Sequence, residues 1–223
     1  MDYNFRFGAL WRYREQILDG VLLTLQFSVF TIVCGLLIGL LAAMASTSTV
    51  RGLRVAARVY VEAIRNTPLL VQLFIIYFGL PSLGIRLGAN TAALIALSVN
   101  LGAYAAEILR AGFESVRRSQ VEAGRALGLT AGQTFRHVIL FQALKAIYPA
   151  LTSQFVMIML TTSVVSSIGG TELFNTAAFI DSRTYLSFEV YALITASYLV
   201  LTIGFRSLFA VVHWLVFVRR SRA

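Results

Sequence analysis

The chain has 223 residues, of which 58% are hydrophobic and only 13% are charged. A soluble domain of average composition carries about 25% charged residues, so this deficit and a mean hydropathy of +0.77 indicate an integral membrane protein. The net charge of +9 does not require nucleic acid as a partner, because positive charge beside membrane spans sets their orientation. The single cysteine, Cys34, excludes an intrachain disulfide, and His137 and His213 lack the spacing of metal ligands.

The first predicted span follows a charged N-terminal segment. Residues 1–19 lack the pattern of a cleavable signal sequence, and we expect an extracytoplasmic or interfacial segment there. A membrane helix needs about 20 largely apolar residues. The absence of charge between Asp19 and Arg51 therefore predicts a span over residues 20–45, followed by a basic loop.

The second span is predicted over residues 60–81, with a break in its first half. Pro68 fits the first position of a helix that Thr67 caps and Pro81 ends. The stretch between the two prolines is too short to cross a bilayer, so we expect the span to begin before Pro68 and to be kinked there. A broken helix is tolerated in lipid where it packs in protein or lines a cavity. Asn66, Thr67 and Pro68 are therefore either a gate in a transport pathway or simply a helix start.

The third span is predicted over residues 90–110, with Asn90 as its N-cap and Asn100 as a polar residue that could line a pathway. Glu107 and Arg110 lie one turn apart on the same face near its end. An exposed ion pair of this kind contributes little to stability. The pair is therefore interpreted either as an ordinary interfacial ion pair or as part of a gate.

The stretch from Ser119 to Ala150 is polar and basic, although apolar runs flank it on both sides. In a capping box, Ser or Thr and a Glu or Gln three residues later each satisfy an unpaired N–H at a helix start. The stretch contains two such pairs, with a glycine between them that fits the left-handed turn ending a helix. The residues concerned are Ser119 with Glu122, Thr130 with Gln133, and Gly128. They predict two helices joined by a corner and standing on the membrane surface.

The fourth span is predicted over residues 147–169 and carries Thr161, Thr162 and Ser163 at membrane depth. Polar residues at this depth often line a pathway. Hydroxyl groups of serine and threonine also bond to carbonyls of their own helix or to neighbouring helices. Pathway lining and helix packing are both open for this cluster.

A polar connection is expected from Glu172 to Glu189, followed by a fifth span over residues 189–215 and a basic tail at 219–223. Arg206 lies near enough to the cytoplasmic end of that span to snorkel. Five spans place the termini on opposite sides. If the C-terminus is inside, 14 of the 19 Lys and Arg residues are cytoplasmic, which predicts a cytoplasmic C-terminus and an outside N-terminus.

No catalytic set is visible in the sequence. The phosphate-binding pattern G-x-x-x-x-G-K-[ST] is missing, and the single lysine, Lys145, follows no glycine-rich loop. We therefore expect no enzyme activity, no bound cofactor and no metal site in this chain. The process to explain is solute passage, with its energy supplied from elsewhere.

Four motifs resemble those of one known family. Glu122-Ala123-Gly124, followed by Gly128, resembles the EAA loop of ABC importer permeases. The runs RNTPLLVQLFIIYFGLP, AYAAEILRAG and SVVSSIG are similar to those of the polar amino acid permeases, the histidine/glutamine/glutamate-type importers. Two features depart from the family pattern. Phe141 stands where the EAA loop usually has proline, and Leu160 and Thr161 replace the Lys-Asp pair of many relatives.

The resemblance implies a type I ABC importer fold with five transmembrane helices and a cytoplasmic coupling helix. The implied role is a multi-pass permease of the bacterial cytoplasmic (inner) membrane. In that family the short helix inserts into a groove of an ATPase subunit, which holds ATP and Mg. The implied coupling residues here are Ser119, Glu122, Ala123, Gly124, Gly128 and Leu129. Amino acid import would also need a second permease subunit, identical or different, and an extracytoplasmic amino-acid-binding protein. The missing charged pair argues against strong binding of a charged substrate by this copy and favours a heterodimer. The candidate pathway residues are Thr161, Thr162, Ser163 and Asn100.

Two alternatives accompany this interpretation. The helix after Arg117 could instead lie on anionic membrane lipid through its arginines, although lipid binding requires neither capping boxes nor Gly128. The chain could also be an ion-gradient-driven secondary transporter or channel subunit. That function predicts internal repeats with paired broken helices and buried ionisable residues along the spans, and the sequence shows neither pattern.

Overall fold

The computed structural model describes residues 5–219, so residues 1–4 of the N-terminal segment and 220–223 of the basic tail lie outside the described range. Within that range the chain is helical and has no β-strand, which confirms the all-α class. Four of its helices are long and apolar enough to span a membrane, and a bent pair makes a fifth if it is counted as one span. After a 3-10 turn at Phe7–Tyr13, the helices are α1 (Arg14–Ser46), α2 (Arg51–Arg65), α3 (Leu69–Leu83), α4 (Ala89–Glu114), α5 (Arg118–Ala126), α6 (Ala131–Ile168), α7 (Leu173–Thr184) and α8 (Ser187–Val218).

Helices α1 and α4 make the most extensive helix–helix contact in the described part of the chain. Gly39 of α1 faces α4 so closely that a Cβ atom there would lie 2.6 Å from Ala105 Cβ and 3.0 Å from the Gly102 carbonyl oxygen. Small residues at such a contact let two helix backbones approach each other in a membrane. A larger residue at position 39 would push the helices apart.

Helix α4 lies at the centre of the bundle. Its buried positions are mostly alanine and leucine, and α1, α2, α3 and α6 all pack on it. The core around α4 includes Phe27, Leu73, Leu97, Leu101, Phe155 and Ile158. The central helix therefore fixes where the ends of its neighbours lie.

The break between α2 and α3 is sharper than the predicted kink, because the two helices are bent by 108°. The prediction that Thr67 caps the following helix was wrong. Its hydroxyl donates to the Ala63 carbonyl oxygen (2.8 Å), one turn back, and Pro68 is the N-cap of α3. The prediction that Pro81 ends this helix was also wrong. Proline is tolerated in a first turn, which needs no N–H donor, and a 3-10 turn carries the helix through Pro81 to Leu83.

The fourth span and the second predicted surface helix are one helix, α6, of 38 residues. The second capping box is confirmed at its start: Thr130 Oγ1 accepts from the Gln133 N–H (3.3 Å), and Gln133 Oε1 accepts from the Thr130 N–H (2.9 Å). A separate surface helix was the wrong expectation, because no glycine or proline interrupts residues 134–148. The helix passes through one π turn, Phe135–Ile139, and continues into the apolar stretch.

The predicted polar connection between Glu172 and Glu189 is the helix α7, and both carboxylates are fully buried. Glu172 caps α7 by accepting from the N–H groups of Phe174 and Asn175 (both 2.7 Å), and it also accepts from the Tyr198 hydroxyl (2.9 Å). Burial raises the pKa of Glu172, while these three hydrogen bonds oppose that rise. Buried polar groups are tolerated when they are bonded in this way, so a charge-rich sequence can pack as a helix.

The prediction that Asn90 is the N-cap of α4 was wrong, because Gly88 occupies that position. Its side chain joins α4 to the turn before α7 instead. Asn90 Nδ2 donates to Thr171 Oγ1 (2.9 Å), and Asn90 Oδ1 accepts from the Thr171 N–H (3.0 Å). This side chain therefore connects two parts of the chain that lie 81 residues apart.

We expect Glu172→Ala to lower the midpoint of thermal unfolding in detergent, because three donors lose their acceptor in a buried site. The loss is roughly 3 kcal/mol or more of the free energy of unfolding. Glu15→Ala is the control, since the Glu15 side chain is 79% exposed. Equal midpoints for the two variants would contradict the structural role of Glu172.

Candidate functional site

The start of α5, the helix that leads into the corner before α6, differs from the prediction. Helix α5 begins at Arg118 and has Arg117 as its N-cap, with no side-chain hydrogen bond to the cap. The first capping box, Ser119 with Glu122, is therefore not formed. Ser119 is already the second residue of the helix, so its hydroxyl does not occupy the capping position. Ser119, Glu122 and Ala123 lie exposed on α5.

At the other end of α5, Gly128 has φ +77°, which confirms the predicted left-handed turn. The Leu129 N–H donates to the Gly124 carbonyl oxygen (3.1 Å), and the Gly128 N–H donates to the Arg125 carbonyl oxygen (2.9 Å). These are the two hydrogen bonds of a Schellman motif. Gly124 is buried, Leu129 is half-buried, and the Thr130 box follows at once. The corner is thus held by backbone bonds on one side and by side-chain caps on the other.

Leu127 stands at the tip of this corner and is 81% exposed. It lies in a polar stretch that also presents Arg117, Arg118 and Arg125 to the exterior. The sequence analysis did not single out this residue. Its position just before a predicted left-handed glycine was the available signal, since a side chain at that point projects from the end of the helix.

The side chain of Gln72, which is 8% exposed, bridges the break between α2 and α3 with hydrogen bonds. Its Nε2 donates to the carbonyl oxygens of Ile64 (2.8 Å) and Thr67 (3.0 Å), at the end of α2 and in the break. Its Oε1 accepts from Asn100 Nδ2 (3.0 Å) on α4. Asn66 is exposed and bonds back to Glu62. The structure therefore brings the predicted residues Asn100, Thr67 and Pro68 together through Gln72, which sequence analysis missed.

The end of α4 carries a group of ion pairs. Arg110 donates to Glu107 and to Glu114 (2.7 Å), and Arg65 at the end of α2 lies 4.0 Å from Glu107. The Arg65 guanidinium also lies over the Tyr104 ring, 5.6 Å from its centroid. These contacts connect the end of α2, next to the break, to α4. A cavity of about 510 Å³ beside them is lined by residues of α1, α2 and α4, including Arg54, Arg58 and Glu62.

The hydroxyl cluster on α6 bonds to its own helix. Thr161, Thr162 and Ser163 donate to the carbonyl oxygens of Met157 (2.7 Å), Met159 (2.7 Å) and Leu160 (2.9 Å), respectively. Thr162 is fully buried within the chain, whereas Thr161 and Ser163 are half-buried. Only Thr161 and Ser163 are thus placed where a water-filled path could reach them.

A second cavity, of about 560 Å³, lies between α6 and α8. The α6 wall includes Ser153, Met157 and Leu160, and the α8 wall includes Arg206 and His213. The wall is apolar apart from a few polar groups, as is common for small-molecule sites. Among the described residues, no group of three or more His, Cys, Asp and Glu residues could hold a metal ion.

A helical bundle of membrane length, with cavities between its helices and a rigid polar corner at one end, is typical of a membrane transport subunit. The model of the family described as the binding-protein-dependent transport system inner membrane component matches residues 35–218. The chain therefore belongs to that family.

Individual relatives agree over nearly the whole length. The chain is 38% identical to the probable glutamine ABC transporter permease protein GlnM of Bacillus subtilis (strain 168) over 186 residues, 83% of this chain and 86% of that protein. It is 36% identical to the octopine transport system permease protein OccM of Rhizobium meliloti over 222 residues, 96% of this chain and 91% of that protein. The crystal structure of an amino acid ABC transporter with histidines matches with a TM-score of 0.88 and 39% identity, covering 94% of this chain and 98% of that chain. The predicted type I importer fold and permease family are confirmed.

Single cysteines in a Cys34→Ser background test whether the hydroxyl cluster lines a path. We expect Thr161→Cys and Ser163→Cys to react with a water-soluble maleimide in the assembled transporter, because both positions are half-buried. Thr162→Cys should stay unlabelled, and Ser82→Cys, on an exposed turn, is the positive control. If positions 161 and 163 are as unreactive as position 162 while position 82 labels fully, the cluster is packing and does not line a path.

Proposed function

We propose that this chain is the transmembrane permease subunit of an ATP-driven importer for polar amino acids or close analogues. The observation that carries the proposal is the continuity of α6, whose first turn belongs to the capped corner and whose later turns belong to the membrane bundle. A force applied at the corner would reach the bundle directly. The relatives named for glutamine and octopine, and the solved transporter with histidines, support the amino acid class of the solute.

The corner is proposed to contact a cytoplasmic ATPase subunit. Exposed α5 offers a small apolar tip at Leu127 within a basic surface, and a groove with an apolar floor and an acidic rim would fit it. Ser119, Glu122 and Ala123 lie on the exposed side of the same helix. ATP and Mg²⁺ belong to that partner. This chain contributes no catalytic residue to the proposal, and its role is to pass the movement on to α6.

The outer surface of α8 is proposed to meet lipid or a second permease subunit. None of the residues in its most apolar stretch is buried within the chain. Import from a binding protein also requires an extracytoplasmic docking surface, which the ends of α7 and α8 near Tyr185 would supply. The chemistry of the exposed helices does not distinguish a homodimer from a heterodimer.

The rival function, an ion-gradient-driven carrier or channel, has no comparable support. The buried carboxylates Glu172 and Glu189 lie beside the ends of α7 and are held in contacts within the chain. The relatives described above are subunits of ABC and related transport systems.

We expect reconstituted transporter to take up amino acid only with ATP and the partner ATPase. Gly128→Ala should weaken the binding protein's stimulation of ATP hydrolysis, because alanine is strained at φ +77°, by roughly 1 kcal/mol. Gly132→Ala is a matched control, since a Cβ there also meets nothing within 4 Å and no positive φ applies. Uptake that follows an ion gradient without ATP would refute the proposed function. Equal stimulation in both variants would refute the role of the corner.

We also propose a cytoplasmic C-terminus and an outside N-terminus, from the charge asymmetry of the sequence. A reporter fused after Ala223 should be active in the cytoplasm, and a tag placed before Tyr3 should be accessible from outside intact cells. Both termini on one side would mean an even number of crossings, and α2 with α3 would then form a re-entrant pair.

A further inference from the structure

The cavity between α6 and α8 is lined by an arginine side chain that has no anionic partner within the described range. Arg206 lines the cavity and is exposed to it. In residues 5–219 its guanidinium makes no hydrogen bond or ion pair with the protein. The nearby Tyr148 hydroxyl is already used, because it donates to the Phe209 carbonyl oxygen (2.7 Å).

Arg206 also lies well inside α8, not at its end. The helix begins at Ser187 and continues for a further 12 residues after Arg206, to Val218. At 1.5 Å per residue that continuation is about 18 Å long. The helix is longer than the roughly 30 Å hydrocarbon core of a bilayer, and Arg206 lies about 28 Å from its first residue. The guanidinium is therefore within reach of both the far interface and the cavity, and it is free to take an anionic partner there.

Four carboxylates of a second copy are poor partners for Arg206, because contacts of their own subunit already hold them. Within the described range the deeply buried carboxylates are Glu172 and Glu189, and both are held by contacts of their own subunit. Glu107 and Glu114 belong to the ion pairs at the far end of α4. The anion would then come from a solute, a lipid, a different chain or an exposed acidic residue of a second copy, such as Asp19 or Glu62.

We propose that the cavity is an amino acid site in which Arg206 binds the solute's carboxylate and Ser153 provides a second donor. The inference rests on the proposed function, because the ligand is the carried solute. The planar guanidinium can hold a carboxylate through two parallel hydrogen bonds. The Ser153 hydroxyl is exposed in the cavity and has no hydrogen bond within residues 5–219.

The remaining wall fits the rest of such a ligand. Val156, Met157 and Leu160 give an apolar surface opposite Arg206, suited to the methylene groups of a side chain. The volume of about 560 Å³ lies within the range usual for small-molecule sites, about 300–1,000 Å³. Glutamine and octopine, for which two of the relatives are named, and histidine, which accompanies the solved transporter, all carry a carboxylate. A carboxylate is therefore the group that these different solutes would share at one arginine.

The test measures ligand binding to the full chain in nanodiscs of neutral phosphatidylcholine, without ATP. The probes are L-glutamine, L-histidine and octopine, together with L-glutaminamide and L-histidinamide, in which an amide replaces the carboxylate. We expect the parent to bind at least one acid about tenfold or more tightly than its amide, because a hydrogen bond to a charged group is lost. Arg206→Met should reduce this preference to about twofold or less, and Arg206→Lys should keep part of it. Arg86→Met, at an exposed arginine outside the helices, should match the parent.

Three results would overturn the proposal. The first is an unchanged acid-to-amide preference in Arg206→Met, and the second is the failure of every probe to bind the parent. The third appears in nanodiscs containing phosphatidylglycerol, if Arg206→Met loses affinity for that lipid while amino acid binding stays intact. The anion would then be a lipid phosphate. If the parent shows ATP-driven uptake but Arg206→Met leaves the acid-to-amide preference unchanged, this site alone is refuted. If the preference depends on Arg206 but uptake is not driven by ATP, the proposed function alone is refuted.

Discussion

The close contact between α1 and α4 is the interaction on which the other helix positions depend. It requires a glycine at position 39, where even one methyl group would meet Ala105. The same α4 carries Asn100, which orients Gln72 in the break between α2 and α3, and Glu107, which lies near Arg65 at the end of α2. A change in how α4 packs would therefore reach both the break and the ion pairs beside it.

The corner before α6 differs from the α1–α4 contact, because its geometry is set by residues that lie close together in the sequence. Gly128 supplies the left-handed turn, the Schellman bonds close α5, and the Thr130 box starts α6. Local bonds of this kind keep a small exposed element rigid without a hydrophobic core around it. Since α6 then continues through its π turn and Pro149 into the bundle, the corner and the cavity wall that bears Ser153 belong to the same helix.

Local signals in the sequence predicted local structure well. The left-handed Gly128 and the Thr130 box each depend on residues within four positions, and both are confirmed. Two other local signals failed at helix ends, since the Ser119 box and the Thr67 cap are not formed. The remaining failures involve partners distant in the chain. Asn90 bonds to Thr171, and Glu172 accepts from Tyr198 in addition to two N–H groups of α7. Gln72 was missed for the same reason. Its side chain donates to the backbone carbonyl oxygens of Ile64 and Thr67 at the break between α2 and α3, and only the fold shows that break.

The central claim is that α5, the corner and α6 move as one body when the ATPase partner closes. Spin labels at Gln120→Cys on α5 and Ser153→Cys on α6, in a Cys34→Ser background, give the distance between the two parts within one subunit. The measurement is made in the complete transporter, with and without a non-hydrolysable ATP analogue. An intrasubunit distance that stays the same in both states, while distances between subunits change, is the predicted result. A shift of the intrasubunit distance on nucleotide binding would mean that the corner bends and absorbs the movement, and it would contradict the account.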